Sequence, residues 1–259
     1  MEIICDTNIW YNIGNGNIDS SIIEENDILV ATYISVYELC FTENYLGNFQ
    51  YIQNAVRAML KYSSKHPIIE PPFAYLKVIS DRNYSYNMTT NNDIFRFTEQ
   101  IAKGCEIMNK KESEIETTKR KEELKQISVF CNEYVKNHIK PNIKDKKIHR
   151  KEDSIMLNRQ LLNQLVSIQT KTDGLNNDFD WKRIGLFENV LKLYFNKLET
   201  GAIKSKPNDW FDLFILLYVN PNRKFWTKDE RLMRLINEVG MGNYLYEINN
   251  DNLNKKTCP

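Results

Sequence analysis

Acidic residues with the types and neighbours of metal ligands occur at both ends of this 259-residue chain. Asp6 directly follows a short apolar run, and Glu38 is expected in the first turn of a helix that follows a second run. Asp209 and Asp212 open a strongly apolar helical segment, and Asp229 follows a third short run. Each acid therefore stands at a strand end or near a helix start, where α/β proteins place their sites.

Carboxylates gathered in one place repel one another and lose solvation, so they persist only when a positive charge lies between them. Divalent cations that prefer oxygen ligands meet that need, and Mg²⁺ takes octahedral oxygen coordination while retaining several waters. No group of histidines accompanies the acids, which disfavours zinc. We expect His66, His138 and His149 to take no part in chemistry.

The elements that would position these acids are predicted from hydrophobic periodicity. Short apolar runs predict strands at 1–5, 27–32, 223–226 and 244–248, and a brief strand followed by a turn at 66–72. Helical spacing predicts helices at 35–41, 49–63, 181–198, 208–219 and from Thr227 onward. The early alternation of strand and helix is typical of a parallel sheet, whose strands have their carboxyl ends on one edge. Asp6, Glu38 and Asp229 should converge at that edge, and Asp212 joins them if its helix begins there.

The middle of the chain differs in character from its two ends. From about residue 92 to 201 there are helical patterns and little strand signal. We therefore predict one α/β domain built from residues 1–75 and 205–259, with an all-helical insertion at 76–204. Chain termini that meet in one domain tolerate such an insertion well.

Helix capping offers a second interpretation of the same segments. Ser35-x-x-Glu38 and Thr227-x-x-Glu230 fit the capping box, and Asp6-Thr7-Asn8 and Asn208-Asp209 suit helix N-termini. Capping and metal binding are compatible, because one residue of a segment can cap a helix while its neighbour binds metal. The joint order of the four segments favours a site.

Taken together, the four segments resemble the PIN-domain family of metal-dependent ribonucleases. The resemblance rests on Ile3-Ile4-Cys5-Asp6-Thr7-Asn8-Ile9-Trp10, Ile34-Ser35-Val36-Tyr37-Glu38-Leu39, Asn208-Asp209-Trp210-Phe211-Asp212 and Phe225-Trp226-Thr227-Lys228-Asp229. Each motif is short, but all four occur in the order found in the family. Residues 76–205 have no counterpart in the shorter typical members, and large apolar residues follow Asp212 where the family has small ones.

The resemblance implies a three-layer α/β/α fold with a PIN-like parallel sheet and a large helical insertion. It implies that Asp6, Glu38, Asp212 and Asp229 are catalytic and bind Mg²⁺ or Mn²⁺, with Asp209 as a fifth acid and Asn8 and Thr227 in support. The expected activity is endonucleolytic hydrolysis of RNA, single-stranded rather than duplex. A toxin-like role with an antitoxin or other protein partner is a further implication.

Two alternatives remain beside this hypothesis. A catalytically silent PIN-like module could bind RNA or a protein, with the helical block covering the acids or serving as a docking surface. A phosphatase of the haloacid dehalogenase type also begins with a strand and an aspartate, but it expects a second aspartate where this chain has Asn8.

A basic segment within the helical block could bind phosphates. Its cations include Lys144, Lys146, Lys147, Arg150 and Lys151, which we predict as nucleic-acid-binding residues. An exposed loop with no such role is an equally good interpretation, because runs of charge are usually solvated.

Composition limits the remaining classes of function. A net charge of +1 gives no overall field that would attract nucleic acid or a membrane, so any charged surface must be local. Five widely spaced cysteines without a C-x-x-C pair argue against a disulfide framework and structural zinc. The absence of an apolar stretch of membrane-spanning length, or of a leader pattern, predicts a cytoplasmic protein with no membrane partner.

Overall fold

The computed structural model describes residues 1–42, 47–63, 67–68, 70–86, 89–105, 110–134, 136–137, 152–206 and 208–247. In that part of the chain the fold is mixed α/β and mostly helical, around a small open sheet of three parallel strands. The strands are β1 (Glu2–Cys5), β2 (Ile28–Val30) and β3 (Arg223–Trp226), in the order β2-β1-β3. The first strand is therefore central and pairs with a strand more than 200 residues away in sequence.

The strands predicted at 66–72 and 244–248 contribute only single bridges in the described residues. Ile68 bridges Thr32 and Leu245 bridges Phe225, both in parallel orientation. Pro67 lacks a backbone N–H, which limits pairing beside Ile68. A short 3₁₀ turn at Gly242–Tyr244 occupies the start of the last predicted strand. The predicted strands at 1–5, 27–32 and 223–226 are confirmed with small shifts at their ends.

Ten α-helices occur in the described residues. They are α1 (Thr7–Gly14), α2 (Tyr33–Cys40), α3 (Phe49–Tyr62), α4 (Pro72–Ser80), α5 (Thr89–Lys103), α6 (Lys110–Tyr134), α7 (Glu152–Thr170), α8 (Gly185–Glu199), α9 (Asp209–Phe214) and α10 (Glu230–Glu238). The segment at 181–198, predicted as one helix, begins with a 3₁₀ turn at Trp181–Ile184, and α9 continues as a 3₁₀ turn at Ile215–Tyr218. No helix in the part of the chain that the structure describes is both long and apolar enough to cross a membrane.

Alternate side chains of the central strand enter two separate hydrophobic cores. Ile3 and Cys5 belong to one core, which includes residues of α1, α2, α3 and α5. Ile4 belongs to the other, which includes residues of α4, α7, α8, α9 and α10. This alternation is the period of two that a strand imposes, and it leaves the sheet covered by helices on both faces.

Helices α7 and α8, from the segment predicted as an insertion, take part directly in the core on one face of the sheet. Val166 and Phe187 are fully buried in the same cluster as Ile4 and Phe225. The division into residues 1–75 plus 205–259 and 76–204 stays a prediction. The packing shows that α7 and α8 help to bury the sheet.

Gly14, at the end of α1, permits a close approach to α3. A Cβ at this position would lie 2.3 Å from the backbone oxygen of Asn54, which cannot rotate away. We expect Gly14→Ala to lower the free energy of unfolding by about 2 kcal/mol, because overfilling a packed contact forces the backbone to shift. Gly185→Ala is the matched control, since a Cβ there meets nothing within 4 Å in a helical position. Urea denaturation of both variants checks this, and equal losses would contradict it.

Candidate functional site

The candidate site lies where β1 and β3 end side by side. The backbone N–H of Asp6 donates to the carbonyl of Trp226 at 2.9 Å, so Asp6 and Thr227 follow adjacent strand ends. The Thr227 hydroxyl donates to Asp6 Oδ2 at 2.6 Å, and the Asn8 amide donates to the same oxygen at 2.7 Å. The two ends of the chain thus meet at the Asp6 carboxylate.

Asp6 is also the N-cap of α1. Its Oδ1 accepts a hydrogen bond of 2.6 Å from the backbone N–H of Thr7. A carboxylate has about four lone-pair positions, and these three donors leave one of them open, on Oδ1. The capping interpretation of Asp6 is therefore correct, and it leaves room for a further ligand.

Asn8 and Thr227 tie the segment after β3 to the start of α1. Asn8 Oδ1 accepts from the backbone N–H of Lys228 at 3.2 Å, and Thr227 Oγ1 accepts from the backbone N–H of Asp229 at 3.0 Å. An aspartate at position 8 could not supply the amide donor that bonds Asp6. The two side chains hold the loop that carries Asp229 against the Asp6 carboxylate.

Glu38 is directed to the site by two contacts that the sequence did not reveal. The buried Ser35 hydroxyl donates to the carbonyl of Cys5 at 2.9 Å and holds the start of α2 against the end of β1. The Thr7 hydroxyl donates to Glu38 Oε2 at 2.5 Å. Two sequence predictions are wrong in detail: Thr32, not Ser35, caps α2, and Glu38 lies in the second turn.

Asp229 is the N-cap of α10, a position the capping box assigned to Thr227. Its Oδ1 accepts from the backbone N–H groups of Arg231 and Leu232 at 2.8 and 2.9 Å. Thr227 lies two residues earlier and is bound to Asp6 instead. Thr227 does not cap α10 because its hydroxyl is bonded to Asp6, the acid that follows the neighbouring strand β1.

Asp212 lies in the first turn of α9, with its side chain part-buried. Within the described residues no donor bonds to its carboxylate. It lines a cleft of about 20 Å³ together with Asp229 and Tyr194, a volume sufficient for about one water-sized group. Both oxygens of Asp212 are therefore available for a new ligand.

Asp209 has a different environment although it begins the same helix. Asp209 is 6% exposed, and its carboxylate forms a two-pronged ion pair with Arg231, at 2.5 and 3.0 Å. The Tyr194 hydroxyl and the backbone N–H of Lys206 also donate to it, at 2.8 and 2.9 Å. One donor bonds Oδ1 and three bond Oδ2, so Asp209 anchors α9 to α10 and is already neutralised by Arg231. The sequence does not predict the role of Arg231, since nothing in its neighbours marks it as the partner of a distant acid.

Like charges and burial raise the pKa of two of the acids. Burial raises the pKa of Asp6 to about 7, with the charges of Glu38 and Asp229 adding to it and the Thr227 and Thr7 donors opposing it. Burial raises the pKa of Asp212 to about 8, and the charges of Glu38, Asp6, Asp229 and Asp209 raise it further. Acids from four separate segments thus share one electrostatic environment.

The donor set of this environment is chemically suited to a hard divalent cation, because it consists of carboxylate, hydroxyl and amide oxygens. Asp212 brings a part-buried carboxylate with no bonded donor among the described residues. Arg231, the one cationic side chain among the described residues that line the cleft, is paired with Asp209. In the described part of the chain, however, no group of three or more His, Cys, Asp or Glu side chains is positioned to hold a metal ion. Binding would therefore require the carboxylates to move closer together.

The predicted basic residues Lys144, Lys146, Lys147, Arg150 and Lys151 lie outside the described residues, as do His66, His138 and His149. A different cation lies beside the acids. Lys228 is exposed between Thr227 and Asp229, with its Nζ 3.5 Å from Asn12 Oδ1. Its position within the fourth motif could have indicated it.

Comparison of the chain with protein-family models, with curated proteins and with solved structures gave no match. The interpretation of the site therefore depends on its own geometry and chemistry.

Proposed function

We propose that this protein is a divalent-metal-dependent ribonuclease that hydrolyses phosphodiester bonds of RNA, with Asp6, Glu38, Asp212 and Asp229 as its acids. One observation carries the proposal: four carboxylates from distant segments share one environment at the carboxyl edge of the sheet, where Asp6 and Asp212 have pKa values of about 7 and 8. Carboxyl groups whose pKa values are raised by burial and by neighbouring charges are typical of functional sites. The helices on both faces of the parallel sheet support a three-layer, PIN-like fold as part of the same proposal.

Mg²⁺ or Mn²⁺, when bound, would supply an activated water and neutralise charge on the scissile phosphate. Asp212 and the open position on Asp6 Oδ1 would hold the ion, with Glu38 and the second oxygen of Asp229 completing the set. Asn8 and Thr227 orient the Asp6 carboxylate through the bonds described above. Lys228 would bind a phosphate of the RNA backbone as an exposed point charge.

The decisive experiment compares the wild-type protein with Asp6→Asn and Asp178→Asn. Asp178 is exposed in the turn before α8 and serves as the matched control for removing one acid. We expect wild type and Asp178→Asn to cleave unstructured RNA with Mn²⁺ or Mg²⁺ and not with EDTA. Asp6→Asn should cleave at least about 100-fold more slowly, because loss of a metal ligand removes several kcal/mol of transition-state stabilisation. Equal cleavage by all three proteins would identify a contaminant and end the assignment.

The alternative function is a catalytically silent module that binds RNA or a protein, in the manner of one half of a toxin and antitoxin pair. The observation in its favour is that the described acids are not drawn together as a metal-binding group. Isothermal titration with Mn²⁺ separates the two functions. Saturable binding that Asp212→Asn abolishes supports the nuclease, and no binding at millimolar Mn²⁺ supports the silent module.

A further inference from the structure

Thr7 bonds two of the four acids of the candidate site. Its backbone N–H donates to Asp6 Oδ1 at 2.6 Å, and its side-chain hydroxyl donates to Glu38 Oε2 at 2.5 Å. Thr7 is buried, at 7% exposure, whereas Asp6 and Glu38 are part-buried. One residue therefore connects the acid that follows β1 with the acid on α2.

The bond between Thr7 and Glu38 has the geometry of a charge-assisted hydrogen bond. An ionised carboxylate only accepts, and 2.5 Å lies at the short end of the range for a hydroxyl that donates to a carboxylate. Such bonds are considerably stronger than those between neutral groups. Burial and a branched Cβ restrict the Thr7 side chain, so its hydroxyl donates from a nearly fixed position.

The helix that carries Glu38 is attached to the same short segment of the chain. Ser35 lies three residues before Glu38 on α2, and its buried hydroxyl donates to the carbonyl of Cys5 at 2.9 Å. Residues three apart on a helix are neighbours on its surface, so Ser35 and Glu38 both reach the segment at the end of β1. Ser35 thus positions the helix backbone, and Thr7 restricts the longer side chain of Glu38.

Repulsion between the acids favours a Glu38 side chain that turns away from Asp6. Burial is the main cause of the raised pKa of Asp6, and the charge of Glu38 adds to it. Glu38 is part-exposed and has a long side chain, so rotation toward water is open to its carboxylate. The Thr7 hydroxyl opposes that rotation, because it stabilises the charged carboxylate on the side where Asp6 lies.

We propose that Thr7 is a positioning residue that holds the Glu38 carboxylate in place for the divalent cation before that cation binds. The inference rests on the function proposed above, and it adds a residue that sets the affinity for the metal ion through one of its ligands. A metal ion binds more tightly when it does not have to order a ligand itself. Loss of a residue that orients a ligand typically lowers metal affinity by about 10- to 100-fold.

Isothermal titration with Mn²⁺ tests the effect on affinity. Thr7→Val keeps the shape of the side chain and the backbone N–H that bonds Asp6, and it removes the donor to Glu38. We expect Thr7→Val to bind Mn²⁺ at least about tenfold more weakly than wild type. Thr7→Ala also lacks the hydroxyl and should show the same loss, whereas Thr7→Ser retains it and should restore most of the affinity.

Thr170→Val is the matched control for removing a threonine hydroxyl. The Thr170 hydroxyl bonds Val166 and Thr172 rather than an acid, so this variant should bind Mn²⁺ like wild type. Thermal melts in EDTA establish that each protein is folded before its affinity is compared. Equal losses of affinity in Thr7→Ser and Thr7→Val would show that the side chain has a structural role, and would overturn the inference.

Crystal structures of metal-free wild type and Thr7→Val give a readout that depends on neither metal binding nor cleavage. The Glu38 carboxylate should lie beside residue 7 in wild type and turn toward solvent in Thr7→Val. The same Glu38 rotamer in both structures, or an unchanged affinity of Thr7→Val beside a wild type that binds Mn²⁺, would overturn the inference alone. A wild type that binds no Mn²⁺ would overturn the proposed function and the inference with it.

Discussion

Asp212→Asn is expected to abolish metal-dependent cleavage of RNA and, in the same protein, to raise the melting temperature at pH 8 by about 5 °C. The loss of cleavage follows from removing the acid whose oxygens have no bonded donor in the described part of the chain. The gain in stability follows from the raised pKa of this carboxyl, about 8, which reflects burial and four neighbouring acids. Function and stability should therefore change in opposite directions.

The sign of the pH dependence follows from proton binding. The unfolded chain releases the Asp212 proton near pH 4, whereas the folded protein retains it until about pH 8. The folded state binds more protons between these values, so the free energy of unfolding falls as the pH rises from about 4 to 8. Asparagine cannot ionise, so the advantage of Asp212→Asn should be absent near pH 4 and complete near pH 8. Allowing for solvent screening of this part-buried group, we expect a gain of about 2 kcal/mol, equivalent to about 5 °C.

Thermal melts of wild type, Asp212→Asn and Asp178→Asn in EDTA at pH 4, 6 and 8 measure this effect. Asp178→Asn should follow wild type at every pH, since Asp178 is exposed. Added Mn²⁺ should stabilise wild type and leave Asp212→Asn unchanged, because a ligand that binds only the folded state raises its stability. A variant that melts below wild type at pH 8 would show that the Asp212 carboxylate stabilises the fold.

The strand ends could be predicted from sequence because each depends on local pattern. The runs before Asp6 and before Thr227 are too short for helices and end in polar residues, and the sheet pairs them directly. The pairing of β1 with β3 then places Asp6 and Thr227 at adjacent strand ends, with Asp229 two residues further on. Glu38 could be predicted near that edge because α2 follows β2, although the contacts of Ser35 and Thr7 that direct it to the site could not.

The contacts that orient and neutralise the acids could not be predicted in this way, because they join side chains from segments that are distant in sequence. Ser35 reads as a helix cap in sequence, yet it bonds a carbonyl at the end of β1. Asp209 and Asp212 are the same type of residue and lie in the same helical turn, so the sequence alone does not show that Arg231 on α10 pairs with Asp209. A pattern of types and spacings carries no information about which of two acids a distant arginine contacts.

Asp209→Asn should have the opposite effect to Asp212→Asn, although the two residues are three positions apart. We expect it to lower the free energy of unfolding by about 2 kcal/mol, because it weakens the charge-assisted hydrogen bonds that the buried Asp209 carboxylate accepts from the part-exposed Arg231. Cleavage per folded molecule should remain within about threefold of wild type, since Asp209 is bound by its four donors and is not a proposed ligand. Urea denaturation and cleavage assays at 20 °C measure the two quantities.

A double-mutant cycle with Arg231→Gln assigns the loss to the ion pair. The double variant Asp209→Asn/Arg231→Gln should be more stable than the sum of the single losses predicts, because it no longer leaves one buried partner unpaired. If Asp209→Asn instead raised stability and abolished cleavage, the roles of the two acids would be exchanged. The metal ion would then bind beside Arg231, which already neutralises Asp209. The argument that the unpaired acids attract the ion would therefore fail.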